Sequence, residues 1–120
     1  MQLVHRSGPP GDRTEDVLAS DVDVADSTLE QARGLMFRRS IPDEYALVFE
    51  FDRAESRTLH MLFVPFPIDA VWLSGTEVTH TKRLRPFVSL GRGVADRIVE
   101  LPAGAAENVE AGDEVVLVEE

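Results

Sequence analysis

The stretch RTLHMLFVPFPIDAVWLSGTEV, residues 57–78, decides the fold class. It predicts one strand from Arg57 to Val64, which is continuously apolar from Met61 onward, and a second β segment from Ala70 to Leu73. The prolines on either side of Phe66 cannot continue a central strand, so a bend is expected between the two runs. Ser74-Gly75 then predicts a hairpin turn, because glycine tolerates the backbone angles of tight turns. This region therefore predicts neighbouring β-strands.

Similar alternation of apolar and polar residues continues on both sides of this region. It predicts further strands at residues 1–6, 17–25, 46–51, 97–101 and 114–118. Short strands interrupted this often predict a mainly β fold, a single compact β-barrel or sandwich of about seven to eight strands. One domain over residues 1–120 is expected, with a polar loop at residues 7–15.

One or two short helices are also predicted. Ser27 followed by Glu30 has the spacing of a capping box, in which the two side chains satisfy backbone N–H groups at a helix start. A helix is expected to follow from about Thr28 to Met36, and a second short one is predicted at residues 103–109.

The charge composition is strongly acidic. The chain has 22 Asp and Glu against 12 Lys and Arg, a net charge of −10, and Lys82 is its one lysine. Such a surface is typical of proteins in concentrated salt, where the Debye length falls to about 3 Å at 1 M and self-repulsion is screened. We therefore predict a halophilic archaeal protein. The alternative is an acidic protein from a GC-rich genome, which also favours arginine over lysine.

Composition also limits the cellular compartments and the kinds of chemical site that are expected. The chain has no cysteine, which excludes disulfides, thiolate metal sites and cysteine nucleophiles. No apolar run reaches the roughly 18 residues of a membrane-spanning helix, and the first residues lack the pattern of a secretory signal. A cytoplasmic location is therefore expected.

Several motifs occur in a fixed order along the chain. They are Arg33–Arg38 (RGLMFR), Ser40-Ile41-Pro42, Pro67-Ile68-Asp69, Glu100–Gly104 (ELPAG) and Gly112-Asp113. In these motifs the chain resembles the family called domain of unknown function 192, over roughly residues 20–118. The resemblance implies a small β-rich fold with a couple of short helices, and it implies no reaction. Where many members have an aromatic-Met-Lys-Asn-Thr-like segment, this chain has residues 59–64, LHMLFV, without the lysine and the amide.

Arg33 and Arg38 are the first candidates for binding. Two guanidinium groups suit a carboxylate or a phosphate, because each presents a fork of N–H donors. The structural alternative is that they pair with internal acids. We predict that at least one of them pairs directly with Asp69 or Glu100, and that the other lies on a concave, partly exposed surface.

His60, Asp69 and two apolar residues complete the candidate site. A His60–Asp69 pair would suit an acid/base or metal role, and the alternative is a histidine whose hydrogen bonds are satisfied within the sheet. Met61 and Trp72 are candidates for an apolar pocket wall or, alternatively, for the core. The predicted ligand-binding residues are thus Arg33, Arg38, His60, Met61, Asp69 and Trp72.

The leading functional prediction is a non-enzymatic module that binds a small ligand or a peptide at an arginine-lined face. One alternative is an enzyme that uses the His60–Asp69 pair. The other is a protein-interaction domain with an exposed strand edge near Pro65-Phe66-Pro67. No catalytic residue, metal site or cofactor is predicted, because the sequence shows no convergent ligand set and no nucleophile motif. The partner is expected to be a small molecule or a protein, neither nucleic acid nor membrane, and the chain to be a monomer or weak dimer.

Overall fold

A computed structural model describes residues 1–9, 11–25, 31 and 33–119. The described part is mainly β, as predicted, and the expected number of strands is confirmed. The strands are β1 (Gln2–Ser7), β2 (Thr14–Ala19), β3 (Asp21–Ala25), β4 (Tyr45–His60), β5 (Ile68–Ser74), β6 (Glu77–Leu84), β7 (Leu90–Pro102) and β8 (Glu114–Val118).

The eight strands form one sheet in the order β2-β1-β8-β6-β5-β7-β4-β3. Neighbouring strands are antiparallel except β3 and β4, which run parallel. A single residue, Ser20, joins β2 to β3, although these strands are the two edges of the sheet. The sheet must therefore curl until its edges approach each other at Ser20. Within the described residues no ladder pairs β2 with β3, so a closed barrel or a sandwich is not confirmed.

Both faces of the sheet are packed, because side chains alternate between them along each strand. On one face lies the first core, which includes Leu47, Phe49, Ala70, Trp72 and Ile98. On the other face lies the second core, which includes Ala46, Val48, Val71, Leu73 and Val99.

Trp72 shows how closely the strands approach in the first core. Its side chain is fully buried, and its indole N–H donates to the Arg57 carbonyl oxygen at 3.1 Å. Gly91 and Gly93 of β7 lie against the ring, where an added Cβ would come within 2.5 Å and 2.8 Å of ring atoms. These two positions therefore need glycine for close packing.

The predicted helices have different outcomes. The capping residues Ser27 and Glu30 lie outside the described residues, and so does most of the helix expected at 28–36. Gln31 and Arg33 are helical, and residues 34–37 form a turn. Residues 103–108 form successive turns where a helix was expected. Among the described residues there is no helix with the length and apolar character needed to cross a membrane.

Candidate functional site

A cavity of about 130 Å³ opens between the turn at residues 33–36, β4 and β7. Its wall combines apolar and polar side chains in equal number. Its apolar lining residues are Leu35, Met36, Phe49, Leu59 and Val64, and its polar ones are Gln31, Arg33, Thr58, His60 and Glu100.

Glu100 is the unusual member of this wall. It lies in an otherwise apolar part of β7, and only 4% of its surface is exposed. No hydrogen bond or ion pair joins its carboxyl group to another residue in the described part of the chain. Burial raises the pKa of Glu100 to about 8, although the positive charge of Arg38 acts to lower it. The carboxyl group is therefore mostly protonated at neutral pH.

Gly34 allows the turn to cover Glu100. Its φ of +50° lies in the left-handed region, where glycine carries no Cβ penalty. A Cβ here would lie 3.3 Å from the Phe49 ring and 3.5 Å from Oε1 of Glu100. The absence of a side chain thus brings backbone, aromatic ring and carboxyl group together at one point.

A second cavity, of about 250 Å³, shares Arg33 and Gly34 with the first and is also lined by Arg38. The Arg38 guanidinium lies 5.2 Å from the centre of the Tyr45 ring. Tyr45 donates its hydroxyl hydrogen to Asp23 at 2.9 Å, and burial raises its pKa to about 12. The two arginines named from the sequence therefore face a common concavity.

The ion pair expected between these arginines and Asp69 or Glu100 is not formed among the described residues. Asp69 pairs instead with Arg83, whose Nε lies 2.8 Å from Oδ1. Asp69 and Arg83 are directly opposite each other in the β5–β6 register. Oδ2 of Asp69 also accepts the backbone N–H groups of Gly104 and Ala106, each at 3.0 Å. Asp69 therefore fixes the turns that follow β7.

The other predicted site residues are divided between the cavity and the core. His60 is exposed and lines the first cavity, and its Nδ1 accepts the Leu62 N–H at 3.2 Å. Met61 and Trp72 are buried in the first core and are not among the cavity-lining residues. His60 and Asp69 make hydrogen bonds to different groups, so the structure does not bring the two together as an acid/base pair.

From the sequence, Glu100 is predicted only as a partner for an arginine, and its place in the cavity wall is not predicted. The available signal was one acid within the apolar run of residues 98–101, IVEL, because an acid there is buried whichever face it takes. Within residues 1–9, 11–25, 31 and 33–119, no group of three His, Asp or Glu side chains is placed to hold a metal ion.

Comparisons with known proteins agree on a family and a fold. Residues 11–117 match the family model DUF192, described as an uncharacterized ACR. The UPF0127 protein PH1112 of Pyrococcus horikoshii is 32% identical over 101 residues, which are 79% of this chain and 85% of the relative.

Two crystal structures are similar in fold. A candidate transcription regulator from Sinorhizobium meliloti aligns with a TM-score of 0.76 at 19% identity, over 96% of this chain and 92% of the other. A protein of unknown function from Novosphingobium aromaticivorans aligns with a TM-score of 0.75 at 23% identity, over 96% and 84% of the two chains. At these identities the likeness shows the fold alone.

Proposed function

This chain belongs to the DUF192 family, whose description names no activity, and we propose that it is a non-enzymatic binding module whose site is the cavity beneath Gly34. The single observation that carries this proposal is Glu100 at the cavity wall, an acid only 4% exposed that forms no hydrogen bond or ion pair with the described residues. A carboxyl group with so little access to water has lost most of its hydration, and a ligand that supplies a hydrogen bond or an ion pair restores part of that free energy.

The chemistry of the wall defines the ligand we propose. Leu35, Phe49 and Val64 suit an alkyl chain, and Glu100 suits a cationic or hydrogen-bond-donating end group. Arg33 suits an anionic group further out. The volume of about 130 Å³ lies below the several hundred Å³ of sites for drug-sized ligands. It suits a small molecule, or one long side chain of a peptide.

The remaining predicted residues take different parts in this proposal. Arg38 would contact the ligand from the second cavity, and His60 would contact it at the rim. Met61 and Trp72 would support the wall from the core. Asp69 would hold the turns after β7 in place.

The proposal predicts how binding depends on pH. A cation gains an ion pair only when Glu100 is ionised, so binding must displace the proton that the buried carboxyl group holds. With a pKa of about 8, affinity for a permanent cation should rise roughly tenfold per pH unit from about pH 6 to 8 and then level off.

Titration calorimetry with butylguanidinium tests this, because its charge is constant over that range. Butanol and butyrate are the matched neutral and anionic controls. Glu100→Gln should lose both the affinity and its pH dependence, and the exposed control Glu110→Gln should keep both. Equal binding of butyrate and butylguanidinium, or binding of none of the three, would overturn the proposal.

We also propose that the protein works as a monomer or weak dimer in a salt-rich archaeal cytoplasm. The supporting observations are the net charge of −10 and the single lysine. Sedimentation at low and at molar KCl tests the oligomeric state, and a stable dimer under both conditions would contradict this proposal.

A further inference from the structure

Three loops meet at one end of the sheet and expose phenylalanine side chains there. Phe37 is the last residue of the turn over the cavity, Phe63 lies between β4 and β5, and Phe87 lies between β6 and β7. Their side chains are 66%, 56% and 55% exposed. Leu62, Val88 and Leu90 beside them are also more than half exposed. We call these six residues the aromatic end.

The backbone holds these loops together. The Phe37 N–H donates to the Phe63 carbonyl oxygen at 2.8 Å, and the two rings stack with centroids 5.0 Å apart. The Phe87 N–H donates to the Val64 carbonyl oxygen at 3.2 Å. The aromatic end is therefore a built surface whose three loops are tied by hydrogen bonds.

Each phenylalanine occupies a strained backbone conformation. Phe37, Phe63 and Phe87 have φ values of 69°, 60° and 65°, and they are the non-glycine residues with positive φ in the part of the chain that is described. Bulky side chains rarely adopt this region, where glycine or asparagine is usual. Glycine at these positions would remove both the strain and an exposed apolar ring. Such strain commonly persists at functional sites, so its concentration on three converging, exposed rings points to a use for them.

Charge is separated toward the same end. Residues 31–42, 58–68 and 82–95, which contain the three loops, carry seven of the twelve Lys and Arg residues and none of the 22 Asp and Glu. This basic region belongs to a chain whose net charge is −10.

The cations of this region also lack acidic partners. Outside it, Arg6, Arg13, Arg53, Arg57 and Arg97 all have a carboxylate oxygen between 2.9 and 3.9 Å away. Within it, Arg83 pairs with Asp69, and among the described residues the other six cations form no ion pair with a carboxylate. They include Arg39 and Arg85, each two residues from an exposed phenylalanine, and Lys82, whose Nζ donates to the Leu90 carbonyl oxygen at 2.6 Å.

We propose that the aromatic end is a docking surface for a protein segment that combines Asp or Glu with apolar side chains. The apolar side chains would cover the exposed rings, and the acids would pair with Arg39, Arg85 and their neighbours. This is the protein-interaction alternative of the sequence analysis, moved from a strand edge to loop residues, because the sheet edges are β2 and β3.

Other partners fit the surface less well. A symmetric contact between two copies would place unpaired arginines against each other, which like-charge repulsion disfavours. Nucleic acid has few aliphatic groups that could pack against Leu62, Val88 and Leu90. An anionic membrane would repel the acidic remainder of the chain.

Selection of random peptides displayed on phage tests the proposal. The wild-type protein is the target, and the triple variant Phe37→Gly, Phe63→Gly, Phe87→Gly is the counter-target. Enriched sequences should combine acidic with apolar residues. The synthesised consensus peptide should bind the triple variant, and separately Arg39→Glu with Arg85→Glu, at least about tenfold more weakly than the wild type.

Matched controls exclude trivial loss of binding. Val17→Ser removes an equally exposed apolar residue from β2, and Arg53→Glu reverses a paired cation, so neither should change affinity. The triple variant should melt no lower than the wild type, since glycine relieves the strained φ values.

Other outcomes would overturn the proposal. These are enrichment of basic or uncharged peptides, no enrichment, or equal affinity for the triple variant. Binding of phosphatidylglycerol vesicles or single-stranded DNA that the triple variant loses, with no acidic peptide selected, would assign the surface to lipid or nucleic acid. A wild-type dimer that the same variant dissociates would assign it to a second copy. None of these outcomes tests the Glu100 cavity, because the triple variant changes none of the residues that line it.

Discussion

Replacing Glu100 with glutamine should stabilise the protein at alkaline pH and leave its stability almost unchanged at acidic pH. Glutamine has nearly the shape of a protonated glutamic acid but cannot ionise. In the wild type, burial raises the pKa of Glu100 from 4.5 to about 8, so the folded state binds more protons than the unfolded state between these pH values. Stability must then fall as pH rises through this window, because the slope follows the difference in bound protons.

The magnitude follows from the size of the pKa shift. One pKa unit corresponds to about 1.4 kcal/mol, so a shift from 4.5 to about 8 predicts a loss of up to about 5 kcal/mol, complete near pH 8. The group is almost fully buried, so solvent screening reduces this value little. Domains of this size are stable by only about 5–15 kcal/mol, so the effect is large.

Urea unfolding at constant ionic strength, from about pH 5 to 9, measures the effect. Trp72 is the single tryptophan and is fully buried, so its fluorescence reports global unfolding. The free energies of unfolding of wild type and Glu100→Gln should agree near pH 5 and diverge by several kcal/mol near pH 8. The exposed control Glu110→Gln should follow the wild type. Parallel curves for wild type and Glu100→Gln would show that Glu100 is not buried as a neutral acid, and would refute the reasoning.

Three further predictions concern other parts of the molecule. The melting temperature should rise from low salt to molar KCl, because salt screens the repulsion among the 22 acids; a flat or falling value would contradict the halophilic interpretation. Gly93→Ala should destabilise the protein by about 1–3 kcal/mol in urea unfolding, because the added Cβ would lie 2.8 Å from the Trp72 ring. The control Val94→Ala, at the exposed neighbouring residue, should destabilise it less. Phe37→Gly should raise the free energy of unfolding by up to about 1 kcal/mol, because it relieves a φ of 69°, and clear destabilisation would mean that the exposed ring contributes more than the strain costs.

The strands were predictable because alternation of side chains is a local property of the sequence. The runs at 46–51, 97–101 and 114–118 all lie within strands of the sheet. The pairing of those strands was not predictable, and the site depended on it. Asp69 forms its ion pair with Arg83 because the two residues are opposite each other in the pairing of β5 and β6. The register of this pairing depends on the bulge between Trp72 and Leu73 as well as on the hairpin turn. The local sequence pattern alone does not determine that register.

The stretch 33–38 shows why a motif can mark a site without stating what each residue does. A regular helix would distribute these side chains by a fixed rotation of about 100° per residue. Here Gly34 and Phe37 both have positive φ, so the chain turns twice within four residues. As a result Arg33 and Gly34 line the cavities, Leu35 enters the first core, and Phe37 is turned out to solvent.

One turn therefore contributes to both proposed surfaces. Gly34 and Leu35 cover Glu100, and the Phe37 N–H binds the loop that carries Phe63. A ligand that fixed this turn from the cavity side would also fix the aromatic end, and a partner at the aromatic end would fix the roof of the cavity. Binding free energies linked through a shared element are reciprocal, so each occupant must change the affinity of the other by the same factor. The factor can be measured in two ways. One is the affinity for butylguanidinium with and without the selected acidic peptide, and the other is the affinity for the peptide with and without butylguanidinium. A factor of one, with both occupants bound at once, would show that the turn does not couple the two sites.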